Sequence, residues 1–173
     1  MKIKLLLLSL TLAFLSSCTG IPKGITPVKD FDADRYLGTW YEIARLDHSF
    51  ERGLDHVSAT YSERDDGGIK VVNRGRNLST GEVRDAVGKA YFVQGRDVGH
   101  LKVSFFGPFY GSYVVFELEE KSYDYAYVTS YNRKYLWLLA RKPKVSDDVR
   151  GAFLKRTKEL GFETDSLIFV NQD

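Results

Sequence analysis

The sequence predicts an all-β domain: an eight-stranded antiparallel up-and-down β-barrel with one C-terminal α-helix packed outside. Three observations carry this. Between residues 38 and 141 short strand-like runs follow one another, each bounded by Gly, Asp, Asn or Ser. They number eight, enough for a sheet that closes on itself and leaves no free edge. After them stands one helical period, at 149–160.

The runs come in this order. Residues 40–46 and 57–63 are the first two, and Asp65-Asp66-Gly67-Gly68 supplies a tight turn whose residues tolerate positive φ. Residues 69–77 follow, then Ser79-Thr80-Gly81, then the long run 82–93. A Gly-bounded turn at 95–99 leads to 101–106, and the loop Gly107-Pro108-Phe109-Tyr110-Gly111 to 112–118. Runs 125–131 and 135–141 complete the barrel. Ser146 is placed to cap the helix, with Asp147 and Asp148 in the first turn where the helix dipole favours negative charge. Val149, Ala152, Phe153 and Leu160 make its apolar face, and Gly161 followed by Phe162 is a natural stop. Residues 166–170 read as a last short strand.

Ahead of the barrel lies a leader. Lys2 and Lys4 precede an apolar run at 5–15, too short to span a bilayer, and small residues close it: the pattern of a secretory signal peptide. The run ends on Cys18, the sole cysteine of the chain. Leu15-Ser16-Ser17-Cys18 resembles the bacterial lipobox, in which the cysteine is lipidated and becomes the new N-terminus. An ordinary signal peptide would need no cysteine there. The organisation expected is therefore a lipoprotein signal peptide at 1–17, a lipidated N-terminus and tether at 18–29, and the barrel domain at 30–173. The tether holds Gly20, Pro22, Gly24 and Pro27 and, extended, would reach roughly 35 Å. In proteobacterial lipoproteins an aspartate after the lipidated cysteine retains the protein at the inner membrane. Thr19 stands there instead, so the resemblance implies the outer membrane, with the domain in the periplasm.

Composition excludes some classes of function. Without the leader's two lysines, 23 basic residues face 23 acidic ones, so no basic surplus marks a nucleic-acid binder. His48, His56 and His100 lack metal-ligand spacing, and no Gly-x-Ser-x-Gly elbow exists. Neither catalysis nor a cofactor is expected.

Alternation sorts the strands into faces. The run 135–141 is apolar on both faces and so must be covered on both. Leu136, Leu138 and Ala140 are assigned outward beneath the helix, with Tyr41 and Ile43. Trp137, Leu139 and Arg141 point inward, with Trp40, Glu42 and Ala44. Arg141 over the face of Trp40 would give a cation–π contact of about 0.5–2 kcal/mol and plug one end.

At these residues the chain resembles the lipocalins. Gly38-Thr39-Trp40-Tyr41 matches their Gly-x-Trp signature, preceded by Phe31-Asp32 and Tyr36-Leu37, and Arg141 matches the third family motif. The sequence is most like bacterial outer-membrane lipocalins, through the stretches 38–45 and 101–111. The middle motif, usually Thr-Asp-Tyr, is absent in that form, and Glu120-Lys121-Ser122-Tyr123-Asp124-Tyr125 occupies its region. The resemblance implies a barrel interior that holds an apolar ligand.

The residues lean the same way. Ala86, Gly88 and Ala90, then Ala126, Val128 and Ser130, share the inward parity and leave volume. Tyr61, Phe105, Tyr113 and Trp137 are expected as aromatic walls, and Ala59, Asn73, Asn77, Val103, Val115 and Leu139 complete the lining. Glu117 falls on the inward parity too. It either meets a ligand headgroup or is turned outward by a slip of register. Expected partners are one lipid, a fatty acid or lysophospholipid, and the membrane through Cys18. A rival reading is an interaction module with a filled barrel. The crowded tyrosines Tyr123, Tyr125, Tyr127, Tyr131 and Tyr135 either cover β surface or mark a homodimer face.

Overall fold

The computed structural model describes residues 19–173; the leader and Cys18 lie outside the described residues. A short helix, α1 (Ala33–Tyr36), leads into eight strands: β1 (Gly38–Leu46), β2 (Leu54–Glu63), β3 (Ile69–Asn77), β4 (Val83–Phe92), β5 (His100–Phe106), β6 (Phe109–Leu118), β7 (Tyr125–Thr129) and β8 (Leu136–Ala140). Helix α2 (Asp147–Glu159), a 3-10 turn (Thr164–Ser166) and β9 (Leu167–Phe169) follow. Each strand pairs antiparallel with the next, β8 returns to β1, and β1 pairs with β2, so the sheet closes. The seam between β1 and β2 is paired only from Gly38 to Tyr41. Above it β9 pairs with β1, and the Gln172 amide donates to Glu42 O and Val57 O, both at 2.8 Å.

One end is plugged as the sequence predicts. Trp40 is fully buried; its Nε1 donates to Tyr36 O at 2.8 Å, and the Arg141 guanidinium lies 4.0 Å from its ring centroid. Arg141 also donates to Thr39 O and Arg35 O at 3.1 and 2.6 Å, tying α1 across the barrel base. Gly38 has φ +93, and a Cβ there would stand 3.4 Å from that guanidinium, so glycine suits the position twice over. The region of the middle motif closes the same end. Arg35 donates to Glu120 O and Lys121 O and stacks on Tyr123, while donors from Ser122 hold the Glu119 carboxyl down at about 2. Replacing Trp40 with Phe should cost about 1–3 kcal/mol in urea unfolding, because Tyr36 O loses its donor and part of the plug is emptied. A loss under about 0.5 kcal/mol would show that this contact does not hold the base.

Helix α2 covers the outer faces of β1, β7 and β8. Ser146 Oγ accepts from Val149 N, and the helix ends with Gly161 N to Lys158 O and Phe162 N to Thr157 O, the paired bonds of a glycine stop. Its buried face differs from expectation. Phe153 and Thr157 are buried and Ala152 is exposed, since Thr157 is the residue one turn beyond Phe153. The Thr157 hydroxyl is satisfied by Phe153 O at 2.8 Å.

Two bulges change the predicted facing. One between Glu42 and Ala44 puts Ala44 opposite Leu138, in the outer cluster rather than inside, and turns Arg45 inward opposite Trp137. The other, between Val115 and Glu117, sends Glu117 outward to Arg156 of α2 at 2.6 Å. The slip of register is thus the correct alternative for Glu117.

Residues 19–29 lie against the barrel instead of extending away. Ile21 and Ile25 join the outer cluster, Val28 exchanges backbone bonds with Val115 and Gly99, and Lys29 bridges to Val98. Three apolar side chains outweigh the local Gly and Pro content. Of the five tyrosines, Tyr123 is buried at the base and Tyr125 and Tyr127 pack with the α2 cluster; Tyr131 and Tyr135 border the opposite end.

Candidate functional site: the barrel interior and its mouth

Hairpin turns alternate between the two ends, so the loops β1–β2, β3–β4, β5–β6 and β7–β8 surround the end opposite the Trp40 plug. This end is the mouth. The interior beneath it has two halves. In the lower half Val115, Ala126, Val128, Leu139 and Tyr61 are buried against the plug. Tyr113 bridges there, with its hydroxyl 2.8 Å from Tyr36 Oη and 2.9 Å from Tyr61 Oη. Burial pushes all three phenols up, so they remain neutral hydrogen-bonding groups.

The upper half is different. Ala59, Asn73, Val103, Phe105, Tyr113 and Trp137 are only half-buried although they face inward, and inward-facing Ala86 is exposed. For Ala86 the exposure has a local cause: β4 pairs with β5 only from Lys89 to Phe92, so residues 83–88 run on with β3 as their ladder partner and 83–87 are open to solvent. Gly88 belongs to this wall as well: a Cβ there would stand 2.8 Å from Phe105 Cδ1, so its absence lets the Phe105 ring lie flat on β4. Of the expected lining residues, then, Ala59, Asn73, Val103, Phe105, Tyr113 and Trp137 border the open half. Tyr61, Val115, Ala126, Val128 and Leu139 lie in the packed half. Asn77 is at the rim, where its side chain is committed to the turn by accepting from Ser79 N and Thr80 N. Ser130 stands past the end of β7 and donates to Ser112 O at 2.7 Å.

No motif announces the group that builds one side of the mouth. The β1–β2 loop folds inward over the barrel, and Arg45, turned in by the bulge, straps it down by donating to Glu51 O at 2.9 Å and Leu54 O at 3.0 Å. The other arm of Arg45 meets Glu42 Oε1 at 2.6 Å, with both side chains almost wholly buried. Glu51 accepts from Trp137 Nε1 at 3.1 Å and lies 2.9 Å from His48 Nε2. Burial, and then the charge of Glu51, push Glu42 well above the usual carboxylate range against the pull of Arg45. Burial also opposes ionisation of Glu51, but donors from His48, Glu42 and Trp137 outweigh it and hold its carboxyl below that range. The two carboxyls therefore titrate as a coupled pair in which Glu42 is the site that favours the proton. Over this cluster runs an aromatic ladder: His48 and Phe50 at 4.1 Å, Phe50 and Tyr135 stacked at 6.0 Å, Tyr135 and Trp137 stacked at 6.0 Å. Strict alternation through 42–45 hides Arg45.

The inner face thus carries aliphatic and aromatic side chains, neutral hydroxyls toward the base and polar groups at the lip, the residue types that small-molecule sites use. Comparison with known proteins agrees with the fold and the motifs. A family model described as a lipocalin-like domain matches residues 31–172. The chain is 56% identical over 158 residues to the outer membrane lipoprotein Blc of Vibrio cholerae, spanning 91% of this chain and 92% of that protein. Against the outer membrane lipoprotein Blc of Citrobacter freundii it is 50% identical over 175 residues, spanning 99% and 98%. Among solved structures, insecticyanin from the tobacco hornworm Manduca sexta superposes with a TM-score of 0.69 at 17% identity, covering 88% of this chain and 86% of that one.

Proposed function

The chain belongs to the lipocalin family, and from that premise we propose that it is an outer-membrane lipoprotein, anchored through Cys18 with its barrel in the periplasm. In this reading the barrel interior holds one fatty acid or lysophospholipid and carries or stores it for upkeep of the cell envelope. The observation that supports the binding role is the accessible surface kept by Ala59, Asn73, Val103 and Trp137 on the inner face of the barrel. Each buried methylene contributes about 0.8 kcal/mol, so a 16-carbon chain could gain roughly 10 kcal/mol before ordering costs. The ligand's tail enters between Ala86 and Phe105 and stops above Tyr113; its head stays at the lip by His48 and Asn77. The anchor reading is supported by Cys18 and by the lipoprotein relatives.

One preparation tests both parts. Protein extracted from membranes, measured intact by native mass spectrometry, should carry acyl chains on Cys18 and a lipid of fatty-acid or lysophospholipid mass. The delipidated protein should then displace a fluorescent fatty acid saturably. With no co-purified lipid and no saturable displacement, the carrier role fails and the filled-barrel interaction module takes its place.

A further inference from the structure

Two breaks run down the mouth half of the barrel wall, on opposite sides. Between β1 and β2 the ladder ends at the pair Tyr41 and Ser58. Between β4 and β5 it covers only Lys89 to Phe92, so residues 83–88 pair with β3 alone. Residues 54–57 of β2, 72–77 of β3 and 83–88 of β4 thus form one leaf. It is laddered to the rest of the barrel at its base and to neither flanking strand above. Within itself the leaf is well braced. Arg76 of β3 donates twice to Asp55 of β2, both at 2.9 Å, and Arg74 twice to Asp85 of β4, at 2.8 and 2.9 Å. Leu54 and Val57 pack over Gly75, where a Cβ would stand 3.0 Å from Leu54 Cδ1. Among the described residues every ion pair of the leaf is internal to it.

Little holds this leaf shut. Across the β4–β5 break the contact is a ring, Phe105 against Gly88. On the β1 side Arg45 donates to Leu54 O where the β1–β2 loop enters β2. The remaining ties come from the last residues of the chain. Val170 N donates to Ile43 O of β1 at 3.0 Å, and His56 N of the leaf donates to Asn171 O at 2.8 Å. His56 Nε2 meets Asp173 O, and the Gln172 amide spans the break, from Glu42 O to Val57 O. This strap is made of hydrogen bonds more than burial: Ile168 and Phe169 are 38% and 39% exposed, and Asn171 and Asp173 are exposed too. Segments with few buried apolar contacts open locally at a small fraction of the cost of unfolding.

We propose that the upper parts of β2, β3 and β4 are a hinged flap, latched by the C-terminal strap at 170–173, and that releasing the strap widens the way into the barrel interior. What the flap is for rests on the carrier reading above; that it exists does not. A braced leaf with a fixed base and two free flanks moves as a hinge, on a timescale of microseconds to milliseconds. The hinge line is the lower ladder, where β1 pairs with β2 and β4 with β5. Gln172 is the side chain that joins both edges of the break, so it sets the balance between latched and released.

Leu78→Cys on the β3–β4 turn of the leaf and Lys134→Cys on the β7–β8 turn across the mouth are spin-labelled in the full chain carrying Cys18→Ala. Double electron–electron resonance then reads the distance between the labels. Adding Gln172→Ala should bring in a second, longer population, because both carbonyls lose their shared donor while the half-exposed site leaves the core intact. In unlabelled protein the same change should speed uptake and release of the fluorescent fatty acid severalfold and alike, with the dissociation constant unchanged, since a latch governs passage and not the bound state. Identical distance distributions with and without Gln172 overturn the flap. Longer distances with unchanged uptake overturn its role in ligand passage. A variant whose affinity and stability fall together while uptake keeps its rate makes the strap a structural stave only, and overturns the proposal too. Longer distances in a protein that binds no fatty acid saturably leave the flap standing and end the carrier reading.

Discussion

Replacing Arg45 with Met should cost about 3–5 kcal/mol of stability in urea or thermal unfolding, the largest loss expected of any single side chain near the mouth. The guanidinium offsets the charge shared by the coupled, buried carboxyls of Glu42 and Glu51 and donates to two loop carbonyls, Glu51 O and Leu54 O. Met fills the volume but leaves the Glu51 charge buried and both carbonyls without a donor. Its partner should behave differently. Burial pushes the Glu42 carboxyl toward its protonated form in the fold, so Glu42→Gln, with an acceptor for Arg45 and a donor toward Glu51, should cost less than about 1 kcal/mol. The two substitutions touch the same contact, yet only one leaves a buried charge uncompensated.

The pH dependence follows from the same proton. Glu42 binds it more tightly in the folded chain than in the unfolded one, where a glutamate titrates near about 4.3. Above that pH folding must take up a proton, so wild-type stability falls as pH rises from about 4.3 toward the raised folded value. Glu51, held below its ordinary value, contributes the opposite slope, gaining stability as pH rises toward the unfolded range. Glu42→Gln removes only the falling contribution. The difference in unfolding free energy between this variant and the wild type should therefore grow in the variant's favour from pH 4 to pH 8 (about these limits). A variant that loses several kcal/mol at neutral pH would show that Glu42 is ionised and paired as an ordinary salt bridge.

How much of this was legible in the sequence depended on which physical signal each part uses. The Trp40–Arg141 plug was legible because a flat ring on the first strand and an inward cation just past the last meet at one end of a closed sheet and have few other ways to be satisfied. The helix stop at Gly161 was legible because its backbone requires positive φ. The assignment of faces held wherever alternation ran unbroken, as through Ile69–Asn77, and failed one residue after each bulge. Nothing in Glu42-Ile43-Ala44-Arg45 distinguishes a regular strand from one carrying an extra residue. That single insertion exchanged Ala44 for Arg45 inside and, with it, hid the whole cluster of Glu42, Glu51 and His48. The course of residues 19–29 was obscured in another way: Gly and Pro report local flexibility, whereas Ile21, Ile25 and Val28 act through contacts far away in sequence.

Filling the upper lumen should abolish ligand binding without harming the fold. Ala86 is the position of choice, since it faces inward next to Asn73 on the neighbouring strand and still keeps accessible surface. Ala86→Trp places an indole where solvent stood, and stability should move by less than about 1 kcal/mol. Because β4 runs past β5 at Ala86, a small change in stability is expected there whether the interior is hollow or packed, and the binding readout decides. Binding should respond far more strongly: an indole that displaces about four methylenes removes about 3 kcal/mol, a loss of roughly a hundredfold in fatty-acid affinity. Val87→Trp is the control, one residue along the strand but pointing outward and 59% exposed, and should alter neither quantity. Should Ala86→Trp leave displacement of the fluorescent fatty acid unchanged, the ligand does not lie at this level of the barrel.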